Sequence, residues 1–185
     1  VILSSHNGSR TLPKTLASFQ QVEYPDSGVE FIVIDNASSD STSEILESYQ
    51  STLPLRILYE PRPGKSSALN SGLKTAQGGL IVFTDDDVIV DPDWLVAYEN
   101  AAHEYPDVSM FAGQVRHHWE TTPPHWLERL AQEGRSYAGT HIDRTEGPIS
   151  AAYVKGPNFM VRAPVIDQVQ FSEAPEVNFT GQGKS

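Results

Sequence analysis

A chain of 185 residues with 38% hydrophobic and 20% charged residues has the make-up of one globular α/β-sized domain, too short for a second full domain and far from disorder. Its 24 acidic against 13 basic residues give a net charge of −11, a field that repels a polyphosphate backbone and argues against nucleic acid as a partner. The absence of cysteine excludes disulfides and thiolate metal sites, and no apolar run in this chain approaches the ~20 residues of a spanning helix.

The chain opens directly in the apolar run Val1-Ile2-Leu3, with no preceding turn or methionine, and reads as a piece of a longer protein whose first strand covers residues 1–4. Residues 11–21 follow as a helix, with Leu12, Leu16 and Phe19 on one face. Phe31-Ile32-Val33-Ile34 is apolar at every position, as a strand covered on both faces requires. Ser41-Thr42-Ser43-Glu44 has the capping-box pattern and starts a helix whose face carries Ile45, Leu46, Tyr49 and Leu53. A third strand spans 55–59. Pro61-Arg62-Pro63-Gly64 then turns rigidly into a helix carrying Leu69, Leu73 and Ala76, which Gly78-Gly79 ends. The fourth strand covers 80–84, and Asp91-Pro92 supplies the N-cap and first turn of a helix with Trp94, Leu95, Tyr98 and Tyr105. Beyond Val108 the pattern loosens into a strand, an aromatic and proline-rich stretch at 119–126, a short helix and a Gly/Thr-rich segment. Apolar runs alternating with helices in this way predict a mostly parallel sheet with crossover helices.

Ligands of open α/β sheets bind beyond the carboxyl ends of the strands, and those positions are polar here. The first strand runs into Ser5-His6-Asn7, the second into Asp35-Asn36-Ala37-Ser38-Ser39-Asp40, and the fourth into Asp85-Asp86-Asp87. Three consecutive carboxylates repel one another unless a cation lies between them. Asp85 and Asp87, flanking one residue, suit Mg²⁺ or Mn²⁺ shared with substrate phosphates. The competing reading is a solvated acidic turn. Asp35 and Asn36 suit hydrogen bonds to a nucleobase edge, and His6 suits packing beside base or ribose, although Asx residues also form turns. Lys65 begins a helix, where it can approach an anion. Gly64-Lys65-Ser66 is not a Walker loop, because the glycine it requires is replaced by Tyr59. His117, His118 and His125 are not assigned, adjacent histidines being poorly placed for one ion. No nucleophile-elbow serine is present.

The chain resembles the family 2 glycosyltransferases, which have the GT-A fold. Val1-Ile2-Leu3-Ser4-Ser5-His6-Asn7 resembles that family's opening strand, and the run from Ile34 through Asp35-Asn36-Ala37-Ser38-Ser39-Asp40 to Thr42 its second-strand signature. Residues 64–72 with Asn70 are similar to its third-helix motif, and Phe83-Thr84-Asp85-Asp86-Asp87 to its DxD element, followed by Pro92-Asp93-Trp94-Leu95. These motifs cover about residues 1–95. The resemblance implies that Ser5, His6 and Asp35 or Asn36 line a nucleoside pocket, that Asp85 and Asp87 touch ribose, diphosphate and metal, and that Asp86, Lys65 and Asn70 belong to the donor site. Gly156-Pro157-Asn158 is similar to a later strand near the acceptor, which would put Gly156 and Asn158 by the transferred sugar.

The expectation is therefore a single GT-A-type catalytic domain over 1–185, with a donor half at 1–107 and the start of an acceptor half at 108–185. It would move sugar from a UDP-, GDP- or dTDP-sugar to a saccharide, lipid-linked or other hydroxyl acceptor with inversion and Mn²⁺ or Mg²⁺ assistance. The resemblance implies cell-envelope polysaccharide synthesis in the cytoplasm or at the inner face of the membrane. One departure stands out: the family's acidic base, often a Glu-Asp pair after Asn158, is missing, and Asp167, Glu173 and Glu176 are the only acidic residues there. A non-catalytic nucleotide-sugar or carbohydrate-binding module is the alternative. A sugar nucleotidyltransferase is weaker still, because residues 6–10 lack the basic glycine-rich loop a triphosphate needs.

Overall fold

The apolar runs pair side by side because each carries side chains on both faces that require cover. In the computed structural model, which describes residues 1–135, 138–141, 146–150, 153–166 and 170–173, they build one six-stranded sheet. Its strands are β1 (Ile2–Ser5), β2 (Phe31–Asp35), β3 (Leu55–Tyr59), β4 (Leu80–Thr84), β5 (Met110–Ala112) and β6 (Asn158–Arg162), in the order β3-β2-β1-β4-β6-β5. The first four run parallel, and β6 lies antiparallel between β4 and β5 with Thr84 opposite Asn158. Ser5 stands opposite Asp35, and Asp35 opposite Tyr59, so the first three strands end level.

Among the described residues six helices accompany the strands: α1 (Leu12–Phe19), α2 (Thr42–Tyr49), α3 (Lys65–Leu73), α4 (Trp94–Glu104), α5 (His125–Gln132) and α6 (Ala163–Ile166). On one face of the sheet Leu3, Val33, Val82 and Met160 meet Leu16 and Phe19 of α1, Leu46 of α2, and Trp94 and Leu95 of α4. On the other, Ile2, Ile32, Ile34, Ile81, Phe83 and Val161 meet Ala68 and Leu69 of α3. Burying one such side chain contributes roughly 1.5–3 kcal/mol, so this two-sided core rather than intrinsic propensity holds helices of about two turns in place. Among the described residues no helix is long and apolar enough to cross a membrane.

Three helix ends differ from the sequence reading. Ser41 closes no capping box; instead Asp40 Oδ1 accepts the Thr42 N–H at 3.1 Å, and the Ser43 hydroxyl turns back to Asp35. The aspartates at the strand end thus outcompete the local serine for the helix start. Helix α3 stops at Leu73, short of Gly78-Gly79, and residues 74–76 continue as turns bonded to Asn70 and Gly72. Helix α4 begins at Trp94, because Asp91 first forms a turn whose carbonyl accepts the Trp94 N–H at 3.1 Å.

Candidate functional site

Because β1, β2 and β4 are parallel, the polar residues after them emerge at one edge of the sheet. Two residues past the level ends of β1 and β2, Asn7 (φ 55°) and Ala37 (φ 54°) both take the left-handed conformation, which asparagine tolerates and alanine adopts only at a cost. The two loops are stitched together across this bend. The Asn7 N–H donates to Ser38 Oγ at 2.9 Å, Asn7 Oδ1 accepts the Ser39 N–H at 2.8 Å, the Gly8 N–H donates to Thr42 Oγ1 at 2.9 Å, and the Ser9 N–H donates to Asp40 Oδ2 at 3.1 Å. The His6 ring is fixed through Nδ1 at 2.7 Å from the Asn36 carbonyl oxygen.

Asp35 is only 2% exposed and accepts the Ser38 N–H at 3.1 Å and the Ser43 hydroxyl. Asn36 is also buried: Nδ2 donates to the carbonyls of Glu60 (3.1 Å) and Arg62 (2.7 Å), while Oδ1 accepts the Gly64 N–H at 2.8 Å. Its amide therefore holds the β3–α3 loop. Gly64 sits at φ 130°, a conformation that L side chains rarely adopt, and this bend starts α3 with Lys65 at the site.

The same loop is clasped from beneath by buried Glu60, whose carboxylate accepts the Arg62 N–H and Nε–H, each at 3.0 Å, and the Ser71 hydroxyl. The Arg62 hydrogen bonds first, and then Ser71, hold this carboxyl down from its ordinary 4.5 to about 2. A depressed carboxyl adds stability that is present above its unfolded value and disappears as pH falls through its folded one. Wild-type protein is thus expected to lose more stability than Glu60→Gln between pH 4.5 and 2, and to be the more stable of the two at pH 7. Chemical denaturation at both ends of that range checks it; parallel pH profiles would remove the clasp's ionic contribution.

Within the acidic triplet the three carboxylates diverge. Asp86 turns inward, accepting the Ser5 hydroxyl, and its backbone carbonyl accepts Thr15 Oγ1–H at 3.0 Å. Burial pushes its carboxyl above the usual range, opposed by the Ser5 hydrogen bond. The backbone must pass close here: a Cβ on Gly8 would lie 2.1 Å from Ser5 Oγ and 2.8 Å from Asp86 Oδ2. Asp85 is ion-paired with Lys65, and Asp87 is exposed.

Asp85 and Asp87 sit on the divide between two cavities. The smaller, about 270 Å³, is lined by Ser5, His6, Asn36, Lys65 and Asp86 together with these two. The larger, about 650 Å³, has Thr84, Asp85, Asp87, Trp94 and Asn158 on its walls and Arg10, Lys14, His117 and Trp119 further out. His117 stacks on Trp119 with ring centroids 5.2 Å apart, and Lys14 pairs with Glu120 at 3.2 Å across the mouth.

Asn158 anchors the far wall. Its Oδ1 accepts Trp94 Nε1–H at 2.8 Å and Tyr98 O–H at 2.7 Å, and its Nδ2 donates to the Gln114 carbonyl at 3.0 Å. Trp94 and Tyr98 read in the sequence only as core residues of α4; an asparagine facing them from a strand was the one available sign of their polar ends. Gly156 is not among the lining residues of either cavity. Asn70 faces away from both: it donates to the Phe171 carbonyl (2.9 Å) and Glu173 Oε1 (3.1 Å) and accepts the Phe171 N–H (2.9 Å). Glu173 is further held by Arg62 at 3.3 Å. Asp167 and Glu176 lie outside the described residues.

Among the described residues no group of three or more acidic or imidazole side chains converges to hold an ion alone. Asp85 and Asp87 nevertheless fit Mg²⁺ or Mn²⁺, since such ions take one or two carboxylates and fill their remaining positions with ligand phosphates and water.

The strand order, with its antiparallel β6 and the polar strand ends gathered at one edge, defines the GT-A class of α/β fold. The chain belongs to glycosyl transferase family 2, whose model matches residues 1–169. It is 34% identical over 93 residues to the poly-beta-1,6-N-acetyl-D-glucosamine synthase of Staphylococcus epidermidis, covering 50% of this chain and 22% of that protein. Among solved structures it is similar to S. aureus TarS 1-349 in complex with UDP-GlcNAc (TM-score 0.65, 18% identity, 90% of this chain and 46% of that one). It is also similar to the mannosyltransferase PcManGT from Pyrobaculum calidifontis in complex with GDP-Man and Mn²⁺ (TM-score 0.65, 23% identity, 90% and 45%). The chain thus spans less than half the length of each.

Proposed function

We propose that this chain carries the nucleotide-sugar site of an inverting, metal-assisted glycosyltransferase acting in cell-envelope polysaccharide synthesis, with residues 1–107 as donor half and 108–185 as the start of the acceptor half. The observation that carries this reading is the position of Asp85 and Asp87 on the wall of both cavities. The nucleoside occupies the smaller cavity beside Ser5, His6 and Asn36. The diphosphate lies at the divide with Lys65 near it, and the transferred sugar and acceptor hydroxyl enter the larger cavity. Asp85 and Asp87 would hold a divalent ion, which when bound would supply the positive charge that a leaving diphosphate requires. The chain's own residues position the ligand: Ser5 holds Asp86 inward, so that the two flanking carboxylates remain on the divide. The UDP-GlcNAc and GDP-Man of the structural relatives support a nucleotide-sugar donor without choosing its base. Glu173, tied to Asn70 and Arg62 and absent from the lining of both cavities, is a poor general base.

Calorimetry with UDP-, GDP- and dTDP-sugars, in Mn²⁺ and in chelator, tests the proposal. One nucleotide is expected to bind, at least about tenfold tighter with metal because clustered carboxylates otherwise repel the diphosphate. Equal affinity in chelator would sink the metal, and no binding by any of them would sink the donor site.

A further inference from the structure

Thr84 is the last residue of β4, is 2% exposed, and lies on the wall of the larger cavity directly before Asp85. Among the described residues its Oγ1 is the one buried side-chain polar atom without a hydrogen-bond partner. The neighbour best placed to satisfy it is Asn158, opposite it in the antiparallel pair and therefore on the same face of the sheet. That amide is already engaged at both ends, with Trp94 and Tyr98 on its oxygen and Gln114 on its nitrogen. A strand position of this kind suits valine, which has the same shape and no polar atom to bury. A hydroxyl there costs the free protein stability without return, unless something in the cavity bonds to it.

We propose that the Thr84 hydroxyl is a specificity contact for a hydroxyl group of the sugar that the nucleotide carries. The inference rests on the donor reading given above. It deepens it because the chemistry of the contact excludes the other parts of the donor. Thr84 is neutral and stands on the wall of the larger cavity only, one residue from the carboxylates at the divide, whereas Ser5, His6 and Asn36 line the smaller one. A group attached beyond the diphosphate reaches Thr84, and the nucleoside does not. A hydroxyl both donates and accepts, as a sugar hydroxyl does, and a change of χ1 between staggered rotamers is the motion by which Thr84 would present its oxygen to the cavity when a sugar is bound.

Thr84→Val removes the hydroxyl and keeps the shape, and Thr84→Ser keeps the hydroxyl. Each is compared with wild type by calorimetry in Mn²⁺ against a nucleotide-sugar that wild type binds and against the matching nucleoside diphosphate, alongside thermal unfolding of the free proteins. Thr84→Val is expected to unfold at the same or a higher temperature, to bind the nucleoside diphosphate as wild type does, and to bind the nucleotide-sugar about tenfold more weakly, the loss of one buried hydrogen bond. Thr84→Ser should recover most of that affinity. Equal weakening of both ligands, no weakening of either, or a less stable free Thr84→Val would overturn the proposal while the donor site stands. A wild-type protein that binds no nucleotide-sugar would bring down the donor reading itself, and this inference with it.

Discussion

Asp87→Ala is expected to remove metal-dependent nucleoside diphosphate binding, by roughly a hundredfold or more, while the free protein melts at the same or a higher temperature. The two halves of this expectation have one cause. Asp87 is exposed, lines both cavities, and adds its charge to those of Asp85 and the inward-turned Asp86, whose carboxyl is already pushed up by burial and then by Asp87. Deleting it relieves repulsion in the free protein and takes away one of the two carboxylates proposed to hold an ion. Asp85→Ala differs, because that carboxylate is also the partner of Lys65. Calorimetry in Mn²⁺ beside thermal melts decides the matter. An Asp87→Ala protein that unfolds, or that binds the nucleotide normally with metal, would return the acidic triplet to a solvated turn.

Asn158→Leu is expected to be strongly destabilising, although the residue lies on a cavity wall where a ligand-binding part is equally natural. Its amide serves Trp94 Nε1, the Tyr98 hydroxyl and the Gln114 carbonyl at once. The Gln114 carbonyl is exposed and can turn to water, whereas Trp94 Nε1 and the Tyr98 hydroxyl belong to buried side chains, and each such group left without a partner costs ~1–3 kcal/mol, so the combined loss is on the order of 2–6 kcal/mol. At ~2–4 °C per kcal/mol for a chain of this size, melting should fall by roughly 4–20 °C. A fall of only a degree or two, with nucleotide-sugar binding lost, would make Asn158 a ligand contact instead of the post that joins α4 to β6.

The layers of this fold were legible because its strands are apolar on both faces. Phe31 to Ile34, buried at every position, could be nothing but a central strand. The edge of the sheet that carries the site was legible for a related reason: in a parallel arrangement, polar residues directly after Ser5, Asp35 and Thr84 can only share one end. What the sequence hid was the use of individual polar atoms. Asn36 reads equally well as a nucleobase contact or a turn former, and only the spatial approach of the β3–α3 loop shows its amide taken up by Glu60, Arg62 and Gly64. The capping box at Ser41 failed likewise, since Asp40 and Asp35 compete from positions that local spacing does not reveal. The strand at Asn158 was legible from the resemblance, but its antiparallel place between β4 and β5 was not, because those partners lie some 46 or more residues before it in the chain.

The stitching between the loops after β1 and β2 has a consequence for how the site comes into being. Its bonds link amides and side chains 31 to 34 residues apart, so none can close before a crossover helix has returned the chain to a neighbouring parallel strand. The stitched loops, which follow the His6 and Asn36 of the smaller cavity in the chain, are accordingly expected to form when the sheet is assembled and to open only when β1 and β2 part. Surface loops usually open on their own and exchange their amide protons quickly. Here the amides of Asn7, Gly8, Ser9 and Ser39 are expected to share the protection of the central strands, so that a nucleotide bound as proposed would meet loops already ordered, with little conformational freedom left to surrender.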